Sequence, residues 1–289
     1  MKSKSAASRA FDVFNITLMI LLSAMFLYPL CYIIALSLSD ATAIIEGRVV
    51  LFPVKFTTDA YAMLFRDSSI IHSLWFTVKL TVSGVACSLL ITAVAAYPLS
   101  RQHLKGSGIL MRLIVFTMYF SGGIIPTYMV VRGIGLFDSM WALILPNMVD
   151  TFLLIIMINY FRGLPQELEE AAKVDGCSNF KTFRKVFLPL AKPSLATLTV
   201  FYAVAYWNTF FNALLYIQDQ KRLTLQVKLY QVLNMFSDSL DPAGGISATV
   251  IPENVKGATV VVAVLPIICV YPFMQRYFVK GVTVGAVKG

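Results

Sequence analysis

Charge is the scarcest commodity in this sequence. Only 13% of its 289 residues are Asp, Glu, Lys or Arg, against about 25% in a soluble domain, so a packed core could not be covered by a hydrated surface. Histidine is nearly absent (His72 and His103), and the four cysteines show no metal-ligand spacing, which removes a zinc module and a disulfide scaffold from consideration. Cys31, Cys87 and Cys269 lie in apolar runs where a small buried hydrophobe is the ordinary role, while Cys177 follows a glycine in a basic stretch. No GxxxxGK[ST] phosphate loop occurs, and no serine, histidine and acid set or metal cluster offers an active site, so the chain is expected not to be an enzyme. What is present is hydrophobicity: 58% apolar residues and a mean hydropathy of +0.75, the composition of a membrane protein. The net charge of +9 then reads as orientation in a bilayer, and nucleic acid is not expected as a partner.

About 20 apolar residues cross a bilayer core as a helix. Six segments qualify, approximately 13–38, 73–100, 109–131, 139–161, 196–217 and 258–278, in one transmembrane domain covering 1–289. The first follows Lys2, Lys4 and Arg9 but runs 26 residues without a charge, too long for a secretory signal, and is expected to be retained. Placing both termini and the 101–108 and 162–192 loops on one face collects fourteen positive charges against eight opposite. The positive-inside rule assigns that face, with both termini, to the cytoplasm. Gly122, Gly123 and Pro126 are expected to break the third span, Pro146 the fourth, and Pro266 and Pro272 the sixth, interruptions that neighbouring helices must compensate. A short helix is expected around 61–65.

Polar residues inside spans are costly and face protein or water. Asn147 and Asp150 lie in the fourth span, Lys79 in the second, and Tyr206, Asn208, Phe211 and Asn212 in the fifth, where Asn208 and Asn212 share a face at a spacing of four. Rings beside amides suit a pyranose, whose C–H patches pack on aromatics and whose hydroxyls need directional partners. The same amides can instead bond neighbouring helices. Asp150, buried, needs Lys79, a partner-chain cation or a water-filled cavity. His72, Trp75 and Trp141 near span ends read as interfacial residues.

The loop 163–193 is the most structured polar stretch. Pro165 suits the first turn of a helix, Glu167, Glu169 and Glu170 suit its positive end, and Gly176 its stop. Ser178 can cap a second helix placing Phe180, Phe183 and Phe187 on one face, closed by Pro189 and Pro193. The small residues Ala171 and Ala172 would let another surface approach closely, so a docking element fits better than a linker.

Glu170, Ala171, Ala172, Asp175 and Gly176, followed by Val186, Leu188 and Pro189, resemble the EAA loop of permease subunits in binding-protein-dependent ABC importers. Cys177 departs from the alanine usual after the glycine. Along most of its length the chain is similar to the carbohydrate branch, which includes the second maltose-importer permease. The stretches 121–128, 206–213 and 276–281 look like permeases for oligosaccharides or polysaccharide fragments of the alginate or pectin type.

The resemblance implies an all-α integral membrane fold, a six-helix type I ABC importer permease bundle with a cytoplasmic EAA helix-turn-helix loop, in the bacterial inner membrane. Glu170, Ala171, Ala172, Asp175, Gly176, Phe180 and Phe183 would then couple to an ATPase. Asn147, Asp150, Tyr206, Asn208, Phe211 and Asn212 would line half of a saccharide pathway. The implied partners are a second related permease in a heterodimer, two cytoplasmic ABC ATPase subunits that bind ATP and Mg, an extracytoplasmic solute-binding protein, and membrane lipid. No cofactor is expected in this chain. The competing readings are an ion-coupled secondary carrier using Asp150 and Lys79, against which no inverted repeat between the two halves is visible, and a non-transporting scaffold.

Overall fold

The computed structural model describes residues 6–66, 68–101, 104–235 and 253–286. Lys2, Lys4, His103, Lys288 and the middle of the 218–257 loop lie outside these. The described chain is helical, in the order α1 Ala6–Ser37, α2 Ala41–Ile45, α3 Asp59–Arg66, α4 Ser68–Leu99, α5 Ser107–Tyr119, α6 Ile124–Gly133, α7 Met140–Ile144 and α8 Thr151–Arg162. Then come α9 Glu167–Val174, α10 Asn179–Thr182, a π-helical turn Phe183–Phe187, α11 Leu188–Leu190, α12 Lys192–Trp207, α13 Phe211–Tyr216, α14 Leu225–Met235 and α15 Glu253–Ala286. Short 3-10 turns follow α7 and precede α14.

The chain forms two compact units. The first comprises residues 1–70 and 229–265. Past Asn15 its α1 is apolar on nearly every side, with side chains such as Leu21 and Phe26 facing outward, as a lipid-facing helix should be. Past its end, Ser39 Oγ donates to Ala35 O at 2.6 Å and accepts from Val54 N–H at 3.0 Å, pinning the loop back to the helix. In α15, Gly257 lies against the α1 backbone so closely that a Cβ there would stand 3.1 Å from Ile33 O.

The second unit comprises residues 71–228 and 266–289. Its core is built from Leu80, Phe161, Phe187, Leu198 and Tyr202, all nearly inaccessible. Among the described residues, α1 and α4 are long and apolar enough to cross a bilayer unbroken, and bent pairs raise the number of spans to at most five. One pair, α5 and α6, turns by 113° across residues 120–123, where Gly123 takes φ +87°, a conformation that disfavours any side chain. The segment Met140–Asn147 bends 52° into α8, and Asn179–Leu190 bends 77° into α12.

The fourth span is interrupted at the expected place: Pro146 sits in the 3-10 turn after α7, and Asp150 starts a new helix just beyond it. The expectation for the sixth span needs correction. Pro266 and Pro272 lie inside α15, which runs through both, because a helix in apolar surroundings keeps the rest of its bonds. The helix expected around 61–65 is α3.

Candidate functional site

The polar loop folds as a lever with two distinct faces. Glu167, Glu169 and Glu170 occupy the first turn of α9, where the helix dipole favours them. The helix ends in a left-handed turn: Cys177 N–H bonds Ala172 O at 2.9 Å and Gly176 N–H bonds Lys173 O at 3.0 Å, with Gly176 at φ +71°. Ser178 Oγ then accepts from Lys181 N–H to open α10. Pro189 does not close this helix. The preceding π turn, in which Leu188 N–H reaches Phe183 O, is wide enough to accommodate a residue without an N–H, and the helix continues to Leu190. Pro193 falls in the first turn of α12.

The inner face is rooted in the unit's core. Phe183 and Phe187 each lie 5.2 Å, ring to ring, from Tyr97 near the end of α4, with Phe161 edge-on to both. The Arg101 guanidinium stacks 4.0 Å above Phe187 and 4.8 Å from Tyr97. Its Nη1 donates to Glu169 Oε2 at 2.7 Å, and Lys173 Nζ meets Glu169 Oε1 at 2.8 Å. Burial pushes the Glu169 carboxyl upward, but its bond to Lys173 and the charge of Arg101 outweigh that and hold it below the ordinary glutamate value. Arg162 Nη2 donates to Leu99 O at 3.2 Å, a second tie to the same end of α4.

The outer face is bare. Glu170, Ala171, Asp175 and Gly176 are exposed, and so are two large apolar side chains, Val174 at 88% and Phe180 at 69%. The expected site therefore divides. Ala172 and Phe183 are buried in the chain's own core and present nothing outward, Phe183 packing on Tyr97 of α4. Val174, not singled out from the sequence, joins the outer set.

The six residues expected along a pathway, Asn147, Asp150, Tyr206, Asn208, Phe211 and Asn212, all line one cavity of about 630 Å³. It lies where two helices are interrupted, between α7 and α8 and between α12 and α13. Tyr206 is 3% exposed and reaches the cavity only at an edge. Its ring presses on Gly84, where a Cβ would stand 2.7 Å away, and its hydroxyl lies 2.9 Å from Ser88 Oγ. Asn208 Nδ2 donates to Val204 O at 2.9 Å and Asn147 Nδ2 to Leu143 O at 3.2 Å, each within its own helical segment.

Of the settings expected for Asp150, the cavity is the one found, and Lys79 is not beside it. Asp150 Oδ1 also accepts Leu153 N–H at 2.9 Å as the N-cap of α8, a compensation supplied by its own helix. Lys79 lies exposed in a separate pocket with His72 and Lys221. Tyr202 and Phe201 also line the cavity. Tyr202 accepts Asp150 N–H at 3.2 Å and lies 2.8 Å from Thr92 Oγ1. Its spacing of four from Tyr206 would have placed it on the same face.

In the loop between α6 and α7, Asp138 takes φ +56° and accepts the N–H groups of Gln218 and Asp219. Those two bonds hold its carboxyl below the usual aspartate value.

Comparison with known proteins places this architecture. Residues 1–284 match the family described as "Binding-protein-dependent transport system inner membrane component". Protein LplC of Bacillus subtilis (strain 168) is 45% identical over 285 residues, 98% of this chain and 96% of that protein. The polygalacturonan/rhamnogalacturonan transport system permease protein YtcP of the same organism is 40% identical over 98% of this chain and 99% of its own length. Among solved structures, a chain from a bacterial ABC transporter involved in the import of the acidic polysaccharide alginate superimposes with a TM-score of 0.86 at 32% identity, covering 96% of this chain and all of that one. The chain belongs to the inner membrane components of binding-protein-dependent transport systems, as an all-α permease with the type I ABC importer fold.

Proposed function

We propose that this permease is the transmembrane subunit of an ATP-driven importer for an oligosaccharide, forming half of the translocation pathway and coupling to cytoplasmic ATPase subunits through residues 163–193. The observation that carries the coupling is the division of the lever. One face is locked to α4 and α8 by Arg101, Glu169 and the Phe183 and Phe187 rings, while the other offers Ala171, Val174, Gly176 and Phe180 to a partner. A push on the outer face must then move the ends of the spans, because packed cores move as units.

The sugar assignment draws on the cavity's chemistry of aromatic faces beside amides. Permeases named for polygalacturonan and arabinooligosaccharide transport are among its relatives. A second related permease completes the pathway, two ATPase subunits bind ATP and Mg, and a solute-binding protein delivers substrate from outside. The lever, on this reading, faces the cytoplasm together with both termini. Asp150 and Lys79 line separate pockets, so no observation favours a charge relay between them.

The test is uptake into proteoliposomes. Transport that requires ATP, the ATPase subunits and the binding protein supports the assignment; uptake driven by an ion gradient with no nucleotide would reject it.

A further inference from the structure

Within this pathway reading, we propose that the cavity takes an uncharged oligosaccharide and discriminates against uronate-containing chains, because Asp150 gives it a negative charge with no cation to offset it. The relatives divide on this point, some being named for acidic polymers and others for the neutral arabinooligosaccharides and trehalose, and the inference places this cavity with the second group. It rests on the cavity being the sugar path, and the experiment separates the two.

Three observations converge. Fifteen described residues line the cavity, and Asp150 is the only charged one among them, with no Lys, Arg or His. Of the unit's described cations, Lys79 and Lys221 line another pocket, and Arg101 and Lys173 hold Glu169.

Second, the feature that would ordinarily welcome an anion is already taken. The N-terminus of α8, a 12-residue helix, points N–H groups and the positive end of its dipole at this region. Asp150 fills it from within, its carboxylate on Leu153 N–H and its backbone carbonyl on Leu154 N–H, both at 2.9 Å. A uronate arriving there meets a carboxylate where it would need a donor.

Third, two of the three amides that line the cavity, Asn147 and Asn208, lean toward acceptance. Asn208 and Asn147 each spend an N–H on a backbone carbonyl, which leaves Oδ1 and at most one N–H per side chain for a ligand. Acceptor oxygens suit sugar hydroxyls, which donate, and offer nothing to a carboxylate, which only accepts. The exposed rings of Phe201 and Phe211 add electron-rich faces that pack on the C–H patches of a neutral pyranose.

The experiment uses the assembled complex, both permeases with the ATPases, in nanodiscs without the binding protein, so that the binding protein's own preference does not enter. Binding of α-1,4-galactotriose and α-1,4-trigalacturonate, matched in length and linkage, is measured by titration calorimetry. The expected result is trigalacturonate weaker by on the order of tenfold at low salt, the gap narrowing as salt screens the charge. Asp150→Asn, which keeps a helix-capping side chain, should close most of the gap.

Trigalacturonate binding as tightly as the neutral sugar would overturn the proposal, the result expected if the partner permease supplied a cation. A gap unchanged in Asp150→Asn would overturn it too. If Asn208→Leu weakens galactotriose in that case, the pathway reading survives and only the charge inference falls. If neither sugar binds at all, both fall together.

Discussion

The lever and the cavity are built on opposite principles. At the lever, side chains from distant parts of the sequence interlock: Arg101 at the end of α4 is gripped by Glu169 and two aromatic faces, and Glu169 is shared with Lys173. At the cavity, the side chains of Asn147, Asp150 and Asn208 bond within three or four residues of themselves, and the distant ties, to Ser88 and Thr92, are left to the buried Tyr206 and Tyr202. A part that must transmit force has to be tied to something remote. A part that must admit a ligand is better lined with groups that keep their places without neighbours, since no bond then has to break when the ligand enters.

That contrast predicts unequal sensitivity. The largest effect is expected at Arg101. Arg101→Glu should cost on the order of 3 kcal/mol by setting two carboxylates together in a mostly buried site. The loss should appear in thermal unfolding and in the sugar moved per ATP, and the exchange Arg101→Glu with Glu169→Arg should recover part of both. Wild-type coupling in the single variant would mean the lever has other anchors. Next, Gly176→Val forces a β-branched residue to φ +71°, a strain of about 1–3 kcal/mol. No atom lies within 4 Å to clash, so the expected outcome is weakened ATPase association in pull-down with the spans intact.

On the cavity side, Gly84→Ala drives a methyl group into the Tyr206 ring and should cost about 1–3 kcal/mol, shifting Tyr206 from Ser88 and slowing uptake. An unchanged transport rate would show that Tyr206 does not shape the path. The pH dependence is smaller. Glu169 is held below its reference value of 4.5, so its contribution is complete above that value and is lost as pH falls through the lower folded-state value. Lys173 is held above 10.5, so its share is complete below that and is lost as pH rises through the folded value. Glu169→Gln should flatten the acid limb of thermal stability, and a limb of unchanged slope would place the sensitivity elsewhere. The smallest structural effect is expected for Asn208→Leu with Asn212→Leu, where assembly stays near normal and sugar uptake changes. If uptake is also normal, those amides serve packing.

Much of this was legible before the fold was known, and the failures have physical causes. Paired glycines at 122–123 announced the sharpest bend, because only glycine tolerates the φ found there. The order of acids, Gly176 and Ser178 announced two short helices, because caps and dipoles are local. The interruption at 208–210 carries no glycine or proline and was not foreseen, while Pro266 and Pro272 pointed to a break that a long helix in apolar surroundings does not need. A face shared by Phe180, Phe183 and Phe187 was foreseen. Its splitting into one outward and two inward rings was not, since that depends on Tyr97, some eighty residues earlier. The partnership of residue 101 with residue 169 had no sequence signal at all. For Asp150 a cavity was among the settings foreseen, but its capping bond within its own helix was not.

The π turn between the lever and α12 has a mechanical corollary. It holds five residues in a loop of hydrogen bonds wider than an α-helix allows, so the chain carries roughly one residue of surplus winding there. Excising Arg184 together with Pro189→Ala would take up that slack and restore an ordinary α-helical turn, leaving Phe180 and the rest of the outer face as they are. Such a variant asks whether the ATPase subunits depend on the give in that turn or only on the surface it carries.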